Sequence, residues 1–224
     1  MKLRPLDPAR ARTRKLATLS RLVRRDDFAT ELAAGASFHE FLHSMPHVLG
    51  AAQLLELARA VAIANRNHRP FLLMSGAHPI KVGLGPIICG MLRDGIISAI
   101  ATNGAAIIHD FELALAGRTS EEVGAGLSEG SFGMAEETGA FLNRAAKIAA
   151  SEGKGLGEIV GREILAAKLK FRAQSVFATA FRVGAPATVH VTVGADIIHM
   201  HPDAGGAAIG AATMADFHLL AAVV

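Results

Sequence analysis

The sequence predicts an α/β protein in which helices flank a parallel sheet, and three observations lead to it. Between residues 71 and 116, short apolar runs twice end in glycine-containing loops and pass directly into helical patterns, which requires parallel pairing with a right-handed crossover. A third apolar run, "ATVHVTV", precedes a polar loop and an Ala/Gly-rich helix. The chain is 51% hydrophobic but 5% aromatic, without Trp or Tyr, which suits helices packed closely on a sheet and weighs against a base-stacking surface for single-stranded nucleic acid.

In chain order, Ala9 to about Leu42 reads as charged helix, interrupted by "SMPHVLG", and residues 51–68 read as a second, amphipathic helix ended by Pro70. "FLLMSGAHPIKVG" is a buried strand that breaks into a loop at Gly76, Pro79 and Gly83, and residues 84–94 are helical. "IISAIATNG" is the second strand, turning at Asn103-Gly104. Beyond Ala116, Thr119 and Glu122 have capping-box spacing, and 134–152 and 155–182 carry helical periodicity with glycine breaks. The third strand covers 187–193. The expectation is one domain, with 1–45 a basic helical arm and 46–224 the core.

Nine Lys and Arg (Lys2, Arg4, Arg10, Arg12, Arg14, Lys15, Arg21, Arg24, Arg25) stand against Asp7 alone in the first 25 residues, so the remainder is net acidic. Such an arm suits an anionic partner, a solvated helix or a subunit-docking tail. The single cysteine, Cys89, excludes an internal disulfide and a multi-cysteine zinc site and fits a reducing cytoplasm. No uninterrupted apolar span of membrane length is read in the sequence, and no secretory leader.

Ligands of open parallel sheets bind outside the carboxyl ends of the strands. Three such ends are legible: Ser75–Gly83, Thr102–Glu112 and Gly194–Asp203. The first offers Gly76, His78 and Lys81 before a helix start, either a phosphate site or a plain structural loop, with a spacing that matches neither the P-loop nor the dinucleotide fingerprint. In the second, Asn103 and Gly104 form a turn, Asp110 is placed to cap a helix, and His109 faces the crevice. In the third, His190, Asp196, His199, His201 and Asp203 fall close together; a His/His/Asp metal site is chemically competent there, against hydrogen bonding to a ligand or within the loop. Ser131, Gly133, Glu136 and Glu137 read as helix initiation, and "GSFG" lacks the serine nucleophile elbow.

Taken together, "HPIKVGLGPIICGMLRDGIISAIATNGAAIIHDFELAL", "GSFGMAEETG" and "TVHVTVGADIIHMHP" resemble the deoxyhypusine synthase family, most closely its bacterial deoxyhypusine-synthase-like branch, from about residue 38 onward. The resemblance implies a Rossmann-like NAD-binding fold, a homotetramer with paired sites, and NAD-dependent transfer of the aminobutyl group of spermidine or a related polyamine to an amine acceptor, in the protein-modifying enzymes a lysine of a translation factor. By position, Thr102, Asn103, Gly104 and Ala105 fall on the family's turn toward NAD, and Gly76, His78 and Lys81 on its first loop. His109 and Asp110 fall on a pair of acidic positions and Asp196 on the acidic loop after the third strand; His199 and His201 of the third loop are the candidate substrate-binding residues. The family's active-site lysine and a second glycine-rich segment lie beyond the point matching Val224, as though the sheet were unfinished. Two further readings stand beside this one: a catalytically silent ligand-binding or assembly protein of the same fold, and a metal-dependent hydrolase using His190, Asp196, His199 and His201.

Overall fold

The computed structural model describes residues 7–224, so Lys2 and Arg4 of the basic arm lie outside the described residues. The chain divides into two units, Met1–Ala62 and Ile63–Val224, and not at residue 45 as the sequence led us to expect. In the first unit the expected long helix is absent. Short 3-10 turns at Pro8–Arg10, Leu16–Thr18 and Arg25–Asp27 are followed by α1 (Phe38–Ser44) and α2 (Leu49–Arg66), the latter running across the division. Helices in proteins persist mainly by burying an apolar face, and neither the turns at Leu16–Thr18 and Arg25–Asp27 nor α1 buries a residue. α1 forms where it has a local reason to. Ser37 Oγ accepts from Glu40 N at 3.2 Å while Glu40 Oε2 accepts from Ser37 N at 2.6 Å, a reciprocal cap that satisfies two orphan donors.

The second unit carries β1 (Leu72–Met74), α3 (His78–Lys81), α4 (Gly85–Arg93), β2 (Ala99–Asn103), α5 (Gly104–Ala116), α6 (Val123–Glu129), α7 (Glu136–Glu152), α8 (Leu156–Ala166), α9 (Val176–Val183), β3 (Ala187–His190) and α10 (Gly206–Val223). The strands form one sheet in the order β1-β2-β3, all parallel, with Leu73 opposite Ile100 and Ala101 opposite Thr188. The fold is therefore α/β with a small parallel sheet among many helices. The periodic stretch 155–182 is two helices, because Lys168 takes a left-handed backbone (φ 52°) and a 3-10 turn at Arg172–Gln174 follows. Buried Phe111 of α5 stacks on Phe141 of α7 with ring centroids 4.2 Å apart, which fixes α5 and α7 where Thr138 of α7 bonds to Glu112 of α5.

β3 lies at the edge of the sheet, where its outer backbone groups need partners. α10 supplies them from side chains. Asp216 Oδ2 accepts from Val189 N at 3.0 Å, Thr213 Oγ1 donates to Val189 O at 3.0 Å, and Val191 N donates to Thr213 Oγ1 at 2.8 Å. The same Asp216 Oδ2 accepts from Gly157 N in the first turn of α8 at 3.2 Å. The approach is so close that a Cβ at Gly155 would strike the Asp216 carboxylate and one at Gly157 the Ala187 carbonyl. The outer edge of β3 is thus partnered by side chains of a helix. α10 is also, by length and composition, a helix able to cross a membrane, with mean hydropathy 1.4 over 18 residues, a span that does not stand out in the sequence because Asp216 and His218 punctuate it. Its Thr213 and Asp216 are spent on β3.

Burial pushes the Asp216 carboxyl up to about 7, against the lowering effect of the Val189 and Gly157 amides. Its folded value lies above its unfolded value, so the folded chain keeps a proton that the unfolded chain has released, and stability falls as pH rises from about 4 to about 7. The thermal midpoint of an Asp216→Asn variant is expected to fall less than that of the native chain across this window; equal slopes would show that Asp216 is not the titrating group.

Candidate functional site

The three strand-end loops do converge. Lys81 from the first, Ala105 and His109 from the second, and Ala195 and Asp196 from the third line one cleft of about 240 Å³, together with Ile108, Glu112, Ser120, Glu121, Val123, Phe132 and Ile197. An adjoining hollow of about 420 Å³ shares Glu112, Ser120 and Glu121 and adds Arg118, Glu137 and Thr138. A further cavity of about 260 Å³ at the amino end of β3 holds Glu158 as its one ionisable side chain, and that carboxylate is paired with Lys154.

His109 and Glu112 are three apart on α5 and share a face. Between them sits Thr119: its Oγ1 lies 2.6 Å from His109 Nδ1 and donates to Glu112 Oε2 at 2.5 Å. Thr138 Oγ1 of α7 donates to the other oxygen of the same carboxylate at 3.2 Å. A threonine hydroxyl has one proton. With that proton given to Glu112, Thr119 accepts from His109, so Nδ1 carries the ring hydrogen and Nε2 keeps its lone pair. Burial holds His109 below the usual histidine range, opposed by Glu112 and reinforced by Lys81, so the ring is neutral at neutral pH. The cleft therefore contains a neutral imidazole with a basic nitrogen, among Glu112, Glu121 and Asp196, with Lys81 as its cation.

Several expected site residues stand elsewhere. Asp110 is 1% exposed and faces the start of α9, where its carboxylate accepts from Ser175 Oγ at 2.5 Å, Val176 N at 2.7 Å and Phe177 N at 3.4 Å. It does not cap α5, which has already begun at Gly104; it serves the first-turn amides of the later helix α9 and stands outside the cleft lining. Burial raises its carboxyl to about 6. Thr102 is buried with its hydroxyl unpartnered, beside Ser75 in a small internal void. Gly76, His78 and Asn103 are exposed outside the cleft lining. Thr119 and Glu122 do not form a capping box: Glu122 itself caps α6 by accepting from Gly124 N.

The third-loop histidines serve the loop. His199 Nδ1 accepts from Gly194 N and Asp196 N, both at 3.1 Å, and His201 Nδ1 accepts from Asp203 N at 3.1 Å. His201 packs so tightly on Gly139 that a Cβ there would collide with its ring. His190 Nε2 lies 3.0 Å from Thr188 Oγ1. Neither His199 nor His201 lines the cleft, and among the described residues no three His, Cys, Asp or Glu side chains form a metal site, so the hydrolase reading loses its ligand set. Of these histidines, His199 is the one bonded to Asp196, through its backbone amide.

Asp196 bears on the expected NAD contact at the α5 turn. A dinucleotide pyrophosphate needs the free amides of a helix's first turn. The Asp196 carboxylate lies against Gly104, the first residue of α5, so closely that a Cβ at Gly104 would collide with it. Burial raises its carboxyl, opposed by His199. An incoming phosphate would meet a carboxylate, so the turn Thr102–Ala105 does not fit NAD in this arrangement, and no redox step is assigned to it. No family model matches the chain, and no curated protein matches it.

The Asp110 contacts give a direct check on its structural role. Asp110→Ala would leave Ser175 Oγ and two amides without their acceptor and open a void, at a cost of roughly 2–4 kcal/mol. Chemical denaturation should show that loss, and a variant as stable as the native chain would contradict the assignment.

Proposed function

We propose that the cleft binds a small organic amine of the polyamine class, spermidine being the representative ligand, and that His109 takes a proton from its bound ammonium group. The observation that carries this reading is the His109–Thr119–Glu112 hydrogen-bonded chain, which leaves Nε2 as a base inside a cleft whose carboxylates outnumber its cation. The carboxylates attract the ligand's ammonium groups, and the neutral ring accepts a proton, leaving an imidazolium and a free amine. In a deoxyhypusine-synthase-like reaction the polyamine is the aminobutyl donor and a lysine amine is the nucleophile, so the free amine left by this proton transfer would be the donor in its uncharged form. The specific fact favouring a second reading, an amine-binding protein without the transfer step, is Asp196 over the α5 turn.

Calorimetric titration with spermidine at low salt is expected to show binding that weakens at high salt. Glu121→Gln and Asp196→Asn should each weaken it about fivefold, the effect of roughly 1 kcal/mol for one partly exposed charge. Absence of binding, or affinity indifferent to both substitutions, would refute the reading. NADH absorbance on mixing with NAD and spermidine would favour the transferase over the silent binder.

A further inference from the structure

We infer that residues 117–135 form a lid over the cleft, and that its closure sets His109 as a base through Thr119, a positioning residue. The inference rests on the reading of the cleft as a ligand site. The segment is tied mainly to itself: Ser131 N and Phe132 N both donate to Gly126 O, and Gly133 N donates to the Glu121 carboxylate at 3.0 and 3.2 Å. α6, at its centre, buries no residue, and its Val123 and Leu127 are 49% and 64% exposed. A unit with so little buried apolar surface opens at low free energy.

The backbone marks where such a unit would turn. Gly117, Ser120, Gly130 and Gly133 all have left-handed φ, from 69° to 78°. Ser120 is the one without glycine's freedom, and it lies between Thr119 and Glu121. Three contacts join the segment to the body: Gly117 at its start packs on the Phe171 ring, Thr119 bonds to His109 and Glu112, and Gly133 packs on Ile197 and Met200 so closely that a Cβ would crowd both. Ser120, Glu121, Val123 and Phe132 then form a wall of the cleft.

Thr119 therefore does two things with one hydroxyl. It fastens the lid to α5, and it holds the hydrogen of His109 on Nδ1. When the lid lifts, the ring loses the acceptor that fixes its tautomer, and Nε2 is no longer reserved as the basic nitrogen. Proton acceptance at Nε2 in particular is thereby favoured in the closed state.

Nitrogen-detected magnetic resonance of the His109 imidazole in the full chain tests this without any amine, so its outcome is independent of the spermidine titration. The native ring is expected to be protonated on Nδ1, Thr119→Val to yield a mixture of tautomers, and Thr119→Ser to restore the native one. Amide exchange over residues 121–132 should quicken about tenfold in Thr119→Val, the effect of losing one net hydrogen bond, while α7 stays unchanged. A native ring protonated on Nε2, a Thr119→Val variant with native tautomer and exchange, or equal quickening in α7 would each overturn the inference.

Discussion

The carboxylate of Asp216 joins α10, the amino end of α8 and the outer edge of β3 at one buried point. A parallel sheet with this few strands exposes a large share of its backbone at its edges, and each unpaired group buried there would cost about as much as a lost hydrogen bond. Asp216 and Thr213 answer that demand from a helix, with side chains in place of a further strand. The cost is a desolvated carboxyl, met by main-chain donors. Such an arrangement tolerates little variation: the glycines of the α8 start are bare because the carboxylate and the Ala187 carbonyl occupy the space a methyl would need.

The cleft inherits its geometry from that point. β3, held on both sides, ends at His190 in parallel register with Asn103 of β2, so the loop after it rises beside the first turn of α5. His199 gathers that loop by accepting two of its amides, and Asn143 of α7 donates to the Ile198 carbonyl at 2.9 Å. The result is Asp196 against Gly104, at the start of the helix that carries His109. On the other flank, Asp110 and Ser175 fasten α5 to α9, so the same helix presents a structural carboxylate to the core and a basic imidazole, one residue earlier, to the cleft.

That adjacency governs what the sequence did and did not disclose. The three strand ends were legible because a short apolar run that gives way to a polar glycine loop is the pattern a buried parallel strand imposes, and their meeting follows from parallel order, although the third strand stops at His190 where the run to 193 reads as strand. His109 was legible as the residue facing the crevice and Asp110 as a helix cap, but not that Asp110 is buried against α9, since neighbouring residues on a helix point about 100° apart and only the packing partner decides what each face meets. His109 with Glu112 was available as a three-residue spacing. Thr119 and Thr138 were not, because they reach Glu112 from other elements through loops whose path the local pattern does not set. The basic arm misled in the opposite way: its charged periodicity resembles a helix surface, but it has no apolar face to bury, and the chain there folds only where Ser37 and Glu40 cap each other.

The electrostatics of the cleft follow from where Asp196 is spent. The amino end of a helix carries partial positive charge and ordinarily draws anions. Here a carboxylate of the same chain lies against Gly104, the first residue of that end, and stands where a ligand's phosphate would approach. What remains facing the cleft is the field of Glu112, Glu121 and Asp196 against Lys81, which favours cations, and a histidine whose charged form is disfavoured by burial. A neutral base in a negative cleft is a consistent pair only for a ligand that arrives protonated. The carboxylates lower the energy of the incoming ammonium, whereas Lys81 and desolvation oppose the imidazolium that deprotonation would leave. Proton uptake by His109 thus depends on Glu112, through Thr119, stabilising the ring once it is charged.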